Sequence, residues 1–240
     1  MNCPYNICGG IGFIPITTES GEQEYAPCKC RIERDTKQSI RKKRIEARIP
    51  IKFWDYTFEN YKKLSKMVKL PPSVQITNDK YVGIIEKYID DPKLFLSGPQ
   101  VLWIWGTDEN SCHTTLAVML GDSLLKFGTK VVFLEFYRLI EMFKDFDNKA
   151  DYFNELKTSE VFIIDDAYDV TRCQLTEYGH TQMFGFINDI LNDNKHLICT
   201  SNTSVNGIVH PGFKQMKIII ERSLEELKIQ GSFTPILRQI

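Results

Sequence analysis

The sequence predicts an α/β protein: a parallel sheet with helices on both faces, preceded by a small cysteine-bearing module. Three observations predict it. Short apolar runs at 101–105, 130–136, 161–164 and 196–200 alternate with helical stretches of ten or more residues, the pattern of βαβ units. These runs are apolar at consecutive positions, which marks strands buried on both faces. Four of the seven cysteines fall within the first thirty residues, ahead of every one of those runs.

The 240 residues are 42% hydrophobic and 25% charged, which supplies a sizeable core and excludes wholesale disorder. No run approaches the ~18 apolar residues of a membrane span. No basic stretch followed by an apolar one opens the chain, so neither a membrane partner nor a secretory leader is expected. An odd cysteine count fits a reducing, cytoplasmic compartment better than a disulfide framework. The net charge of −1 conceals an asymmetry: residues 1–72 hold 14 Lys and Arg against 8 Asp and Glu, net +6, and the remainder carries −7. A basic front on an acidic body points to two modules with different partners.

Taken in order, Cys3-x4-Cys8 and Cys28-x-Cys30 form two close pairs, with Gly9, Gly10 and Gly12 after the first. Four thiolates in two pairs satisfy tetrahedral Zn²⁺, and a segment this short has too little core to fold unaided. Structural zinc on Cys3, Cys8, Cys28 and Cys30 is therefore expected. Cys112, Cys173 and Cys199 have no partners in sequence and read as core or loop residues. The stretch 31–52 carries nine Lys and Arg against Glu33, Asp35 and Glu46, and reads as one exposed helix ending before Pro50. It suits either nucleic-acid phosphates or a partner protein docked on its apolar side. Mixed aromatic and polar residues follow at 49–61, and Pro71-Pro72 reads as a hinge. The expected divisions are 1–33 for the four-cysteine module, 34–76 for the basic helix and linker, and 77–240 for the α/β domain.

In that domain a helix is predicted over 78–90, then the strand 101–105 and a helix over 114–127 stopped by Gly128. Strand 130–136 precedes a helix over 137–146. Strand 161–164 runs into Asp165-Asp166, and a helix over 181–191 leads to strand 196–200. Asp165 and Asp166 thus emerge at the carboxyl end of a buried parallel strand, where open α/β sheets bind ligands. One such acid can hold hydrated Mg²⁺ while the other orients a water. One βα unit earlier, residues 106–115 have the position and length of a phosphate-binding loop. Gly106 opens it and Thr114-Thr115 begin the helix, but Ser111 and Cys112 stand where glycines are wanted. His113 stands at or beside the lysine position, depending on where a one-residue length difference falls. Asp108 and Glu109 add negative charge where an anion should sit. A neutral imidazole does not replace an ammonium, and side chains restrict positive φ. Asn202, just past the last of these strands, is suited to positioning a water. His180, His196 and His210 have no metal-ligand spacing.

The order of these pieces resembles the DnaC/DnaI-type replicative helicase loaders. Four cysteines and a basic helix precede Arg48-Ile49-Pro50-Ile51-Lys52-Phe53-Trp54-Asp55-Tyr56-Thr57-Phe58-Glu59-Asn60-Tyr61, which looks like the linker ahead of the ATPase core in that family. Phe162-Ile163-Ile164-Asp165-Asp166 is Walker B-like, and Thr200-Ser201-Asn202 is similar to sensor 1. Glu221-Arg222-Ser223-Leu224-Glu225 resembles the arginine-bearing segment, and Leu227-Lys228-Ile229-Gln230-Gly231 the closing strand. The resemblance implies a P-loop AAA+ fold that binds a hexameric DnaB-type helicase and single-stranded DNA, with self-association open. It implies Asp165 as the Mg²⁺-linked acid, Asp166 as the water-orienting acid, Asn202 as the sensor, and Arg222 as the residue reaching a nucleotide phosphate, in its own or a neighbouring subunit. ATP or ADP with Mg²⁺ is the ligand of such a site. The absent lysine and glycines predict weak or absent hydrolysis. The sequence also leaves open an active ATPase of this architecture and an IstB-like transposition helper, against which the cysteine cluster argues.

Overall fold

The computed structural model describes residues 3–65, 70–107, 112–144, 149–169, 176–208 and 213–229. Asp108, Glu109, Ser111, Cys173, His210 and residues 230–231 of the expected closing strand lie outside them. The chain divides into two compact units, Met1–Glu46 and Ala47–Ile240.

The first unit holds an antiparallel hairpin of β1 (Phe13–Thr17) and β2 (Gln23–Pro27), followed by helix α1 (Lys29–Glu46). The hairpin was not expected. None of its ten residues is buried, so no inward–outward alternation announces it. The cysteines Cys3, Cys8 and Cys28 form its small core, with Ile14 and Cys30 packed against them. The basic helix starts two residues earlier than expected and ends sooner. Arg48 takes φ +59°, which no α-helix accommodates, two residues ahead of Pro50.

The second unit is built on β3 (Val101–Trp105), β4 (Val131–Glu135), β5 (Val161–Asp165), β6 (His196–Ser201) and β7 (Leu224–Lys228). They pair in parallel in the order β4-β5-β6-β3-β7. Around them lie α2 (Phe58–Ser65), α3 (Pro72–Asp90), α4 (Pro92–Leu96), α5 (His113–Phe127), α6 (Phe136–Lys144), α7 (Lys149–Leu156), α8 (Glu177–Asn192) and α9 (Phe213–Glu221). Both faces of the sheet are covered, as consecutive apolar residues require. Leu102 and Ile104 pack with Leu116, Leu120 and Leu124 of α5 on one face. Val101 and Trp103 face the other way, toward Met183 and Ile187 of α8 and Met216 and Ile220 of α9. Each such buried side chain contributes ~1.5–3 kcal/mol. Among the described residues no helix is long and apolar enough to cross a membrane.

One expectation about the connection changes, and its linker gains a fixed place. Residues 47–61 are docked on the core of the second unit. Ile49 and Tyr61 are buried, and Phe53, Trp54, Tyr56 and Phe58 pack against the same core as α5. The Ala47 carbonyl accepts from the Phe133 amide at 2.8 Å, fixing the segment along the edge of β4. Pro71-Pro72 is not a hinge but a helix start: Pro71 is the N-cap and Pro72 the first residue of α3, where a missing N–H costs nothing. The helix consequently begins six residues before Asn78. Similarly α8 begins at Glu177 rather than Thr181, because the Thr176 hydroxyl caps it by accepting from the Gly179 amide at 3.1 Å.

Candidate functional site

The parallel register brings the carboxyl ends of β3, β5 and β6 together, and with them most of the predicted residues. Asp165 ends β5. One oxygen of its carboxylate, Oδ1, accepts from the Thr114 hydroxyl and from the Thr200 hydroxyl, each at 2.6 Å. Thr114 lies in the first turn of α5 and Thr200 near the end of β6, so three elements meet on one carboxylate. Thr200 also accepts from the Asp166 amide at 3.1 Å, and the Ala167 amide donates to the Thr200 carbonyl at 2.7 Å. Asp166 holds φ +53°, a turn that stops β5 from continuing.

Burial raises the Asp165 pKa, against the pull of the two hydroxyls and of the Lys52 ammonium, while Glu135 on the neighbouring strand pushes the same way as burial. His113 is buried, and burial lowers its pKa; the Asp166 carboxylate opposes this. At pH 7 the imidazole is therefore neutral.

Of the loop preceding α5 the two ends are described, residues 106–107 and 112. Gly106 donates its amide to the Ser201 carbonyl at 3.1 Å, tying the loop's first residue to β6. At its far end Cys112 takes φ +58°, ψ +19° as the N-cap of α5, and its carbonyl accepts from the Leu116 amide at 3.0 Å. A side chain was expected to restrict positive φ here. Cys112 adopts it nonetheless, at the ~1–2 kcal/mol that a β-carbon costs in this region. Burial pushes the Cys112 thiol up to about 12, so it is a neutral group. Thr115 is buried and belongs to the core side of the helix. Asn202 follows β6 directly and is exposed; the Trp103 indole N–H donates to the neighbouring Thr203 carbonyl at 2.9 Å and holds that turn in place.

Arg222 is not brought to this group. It sits in the turn between α9 and β7, beside Ser223, whose carbonyl accepts from the amide of Val101, the first residue of β3. That is the amino edge of the sheet, a full strand length, ~16 Å, from the edge that carries Asp165. One residue was missed as a member of the site: Thr200 was named only within the sensor-1-like stretch, and its signal was a hydroxyl at the end of an apolar strand.

In the first unit the four sulfurs of Cys3, Cys8, Cys28 and Cys30 lie within 4.8 Å of one another. Cys3 and Cys28 are 3.9 Å apart and Cys8 and Cys30 3.5 Å. A tetrahedron with sulfurs ~2.3 Å from a central Zn²⁺ has edges of ~3.8 Å, so the donor set fits that ion. Backbone amides reinforce it: the Gly12 amide donates to the Cys8 sulfur at 3.2 Å. The amides of Cys8 and Ile7 hold the Cys3 thiol down at about 6. Cys30 is pushed up to about 12 by burial and by the neighbouring sulfurs. Four thiols this close do not all ionise without a cation among them. Gly12 has φ +85°, and a β-carbon there would meet Arg34 at 3.3 Å.

No family model and no curated relative matches the sequence. Solved structures do. The DnaC helicase loader matches at a TM-score of 0.56 and 17% identity, over 75% of this chain and 99% of that one. DnaI matches at 0.54 and 14%, over 77% and 93%. AMPPCP-bound DnaA from Aquifex aeolicus matches at 0.54 and 16%, over 72% of this chain but only 50% of that one, so the chain spans about half the length of this replication initiator. The five-stranded parallel sheet with its flanking helices is thus the P-loop AAA+ fold shared by DnaC, DnaI and DnaA.

Proposed function

We propose that this chain is a helicase-loader-like DNA replication protein. In this reading it binds a hexameric DnaB-type helicase and single-stranded DNA, with a degenerate nucleotide site whose ATP hydrolysis is weak or absent. Its likeness to a loader over almost the whole of that loader's length supports the assignment. The observation that carries the degenerate site is the Thr114–Asp165 hydrogen bond. In a phosphate loop the Ser/Thr that ligates Mg²⁺ directly follows the lysine, and its metal partner is the Walker B acid. Thr114, bonded to Asp165, fits the Ser/Thr place. His113 then stands for the lysine and Cys112 for the last glycine. A lysine supplies ~1.5–3 kcal/mol through a charge-assisted contact to phosphate, which a neutral, buried imidazole does not.

What remains is an edge suited to a hydrated Mg²⁺: Asp165 and Thr114 as its neighbours, with Asp166 and Asn202 placed to orient a water. ATP or ADP would approach this edge through its Mg²⁺, the cation that the carboxylates are suited to meet. Arg222, at the opposite edge of the sheet, serves a nucleotide only on a neighbouring copy. The four cysteines hold one structural Zn²⁺ that fixes the amino-terminal module.

Two measurements test the reading. Pull-down with the DnaB-type helicase of the same source should recover a complex; none, with or without nucleotide, moves the assignment to an IstB-like transposition helper. Calorimetric titration with ATP and Mg²⁺ should give millimolar affinity or none. Micromolar affinity would return the chain to the active ATPases of this fold.

A further inference from the structure

We propose that the cleft between α7 and α8 receives an amphipathic helix of a partner protein. That helix has a bulky apolar seam, with Lys or Arg on one flank and Asp or Glu on the other. The cleft reaches Lys157 and Lys195, which stand ahead of β5 and β6 at the amino side of the sheet. It is separate from the edge that carries Asp165, and the inference does not draw on the reading of that edge.

The cleft encloses about 730 Å³, and Phe143, Phe153, Phe162 and Phe186 form its floor. Their rings hold one another in place. Phe153 stacks on Phe143 at 5.2 Å and meets Phe186 edge-on at 5.3 Å, and Phe186 meets Phe162 edge-on at 5.7 Å. The floor is therefore built in advance, and little ordering remains to be done on binding. Phe153 and Phe186 are only partly buried. Gly185, which lines the cleft, lies in the middle of α8 in ordinary helical geometry. Glycine there is less stable than alanine. A β-carbon at Gly185 would meet nothing within 4 Å, so packing inside the chain does not require the glycine. What its missing side chain leaves is room for an apolar anchor from outside.

Shape selects a helix as the occupant. The lining residues of α8 run from Thr181 to Asp193, about 18 Å or three turns. The rim is exposed along that length, at Thr181, Asp189 and Asn192 on one side and Asn154 and Lys157 on the other. Small ligands are mostly enclosed by their sites, whereas a trough between two helices takes a third. Charge sets the flanks. Lys195 pairs with Asp193 at 3.2 Å and donates to the Lys157 carbonyl at 2.7 Å, so these two charges cancel. Asp189 remains on the α8 wall and Lys157 at the end of α7. Among the described residues neither has an ion-pair partner. Opposite signs on opposite walls match opposite charges on the two flanks of a helix, as e and g positions do in coiled coils.

The test uses three labelled peptides of about fifteen residues, long enough to span the trough. All share one apolar seam; they carry Lys on one flank and Glu on the other, Lys on both, or Glu on both. Each is titrated with the full chain by fluorescence anisotropy at low salt. The mixed peptide should bind about fivefold more tightly than the other two, the effect of exchanging a surface attraction for a repulsion. Asp189→Lys makes both walls cationic and should move the preference to the peptide with Glu on both flanks. Gly185→Leu should fill the trough and weaken every peptide about tenfold without lowering Tm. Gly185→Ala should raise Tm by about 2–4 °C; a lower Tm would mean that the space is already filled, and overturns the cleft. Equal binding of the three peptides, a preference unmoved by Asp189→Lys, or no binding overturns the helix as occupant. Dimerisation of the chain that Gly185→Leu abolishes would name a second copy instead and overturn a foreign partner.

Discussion

The Thr114 hydroxyl donates to Asp165 at 2.6 Å across 51 residues of sequence. The bond joins the first turn of α5 to the end of β5. In the proposed reading Thr114 is the Ser/Thr of a phosphate loop, and the residue before it, His113, would take the place from which such a loop presents its ammonium.

Restoring that ammonium is the direct test. His113→Lys should raise ATP affinity about 10- to 100-fold, the equivalent of one charge-assisted contact to phosphate. Calorimetry with Mg²⁺ present reads it. Unchanged affinity in a folded variant would falsify the register, because a lysine elsewhere in the loop would have no phosphate to meet.

Cys112 gives a second test that needs no ligand. At φ +58° a β-carbon is strained and a glycine is not. Both Cys112→Gly and Cys112→Ala lose the same partly buried thiol, so their difference isolates the backbone. The glycine variant should be the more stable by about 1 kcal/mol, or roughly 2–4 °C in Tm for a chain this size. Glycine is also the better N-cap of the two, so both effects have the same sign, and an alanine variant that melts higher would mean Cys112 is not a left-handed N-cap in solution.

What the sequence made legible follows from local patterns with one cause. The four strands 101–105, 131–135, 161–165 and 196–201 stood out because burial on both faces forces consecutive apolar residues, and Asp165 stood out because it interrupts one of them. The cysteine spacing carried the sulfur cluster in the same way. Other features had no local cause. Lys52 lies beside Phe133 and Glu135 of β4, where the backbone bond between Ala47 and Phe133 holds its segment. Arg222 stands on the amino edge because β7, the strand that follows it, runs parallel to β3. The hairpin of β1 and β2 buries no side chain, so its residues carry no period to read.

The sulfur cluster predicts two separable transitions. Cys28, with 1% exposure, is the centre of a unit whose remaining core is little more than Cys3, Cys8 and Ile14. Metal analysis should find about one zinc per chain. Chelation should abolish the helical signal of α1 while the near-ultraviolet signal of Trp103, buried in the other unit, persists. Less than half an equivalent of zinc in a folded, unchelated sample counts against the site, and so does a chelated protein that keeps α1.

Gly121 supplies the last prediction, and its sign runs against propensity. It lies inside α5, where alanine would ordinarily gain about 1 kcal/mol over glycine. A β-carbon at this position would stand 2.5 Å from Ile163 Cδ1 and 3.6 Å from Val131 Cγ1, because the helix rides directly on β5. Ile163 has no exposed surface into which it can move. Gly121→Ala should therefore destabilise the α/β unit by about 1–3 kcal/mol, the usual cost of overpacking. Removing the offending methyl with Ile163→Val on its own costs about 0.5–1.5 kcal/mol. Combined, the two should cost less than their sum, since the alanine methyl fills the space that the valine leaves. Urea unfolding of the two single variants and the double one gives the cycle. Strict additivity would mean that the helix sits farther from the strand than 2.5 Å implies, and with it the start of the loop that α5 carries.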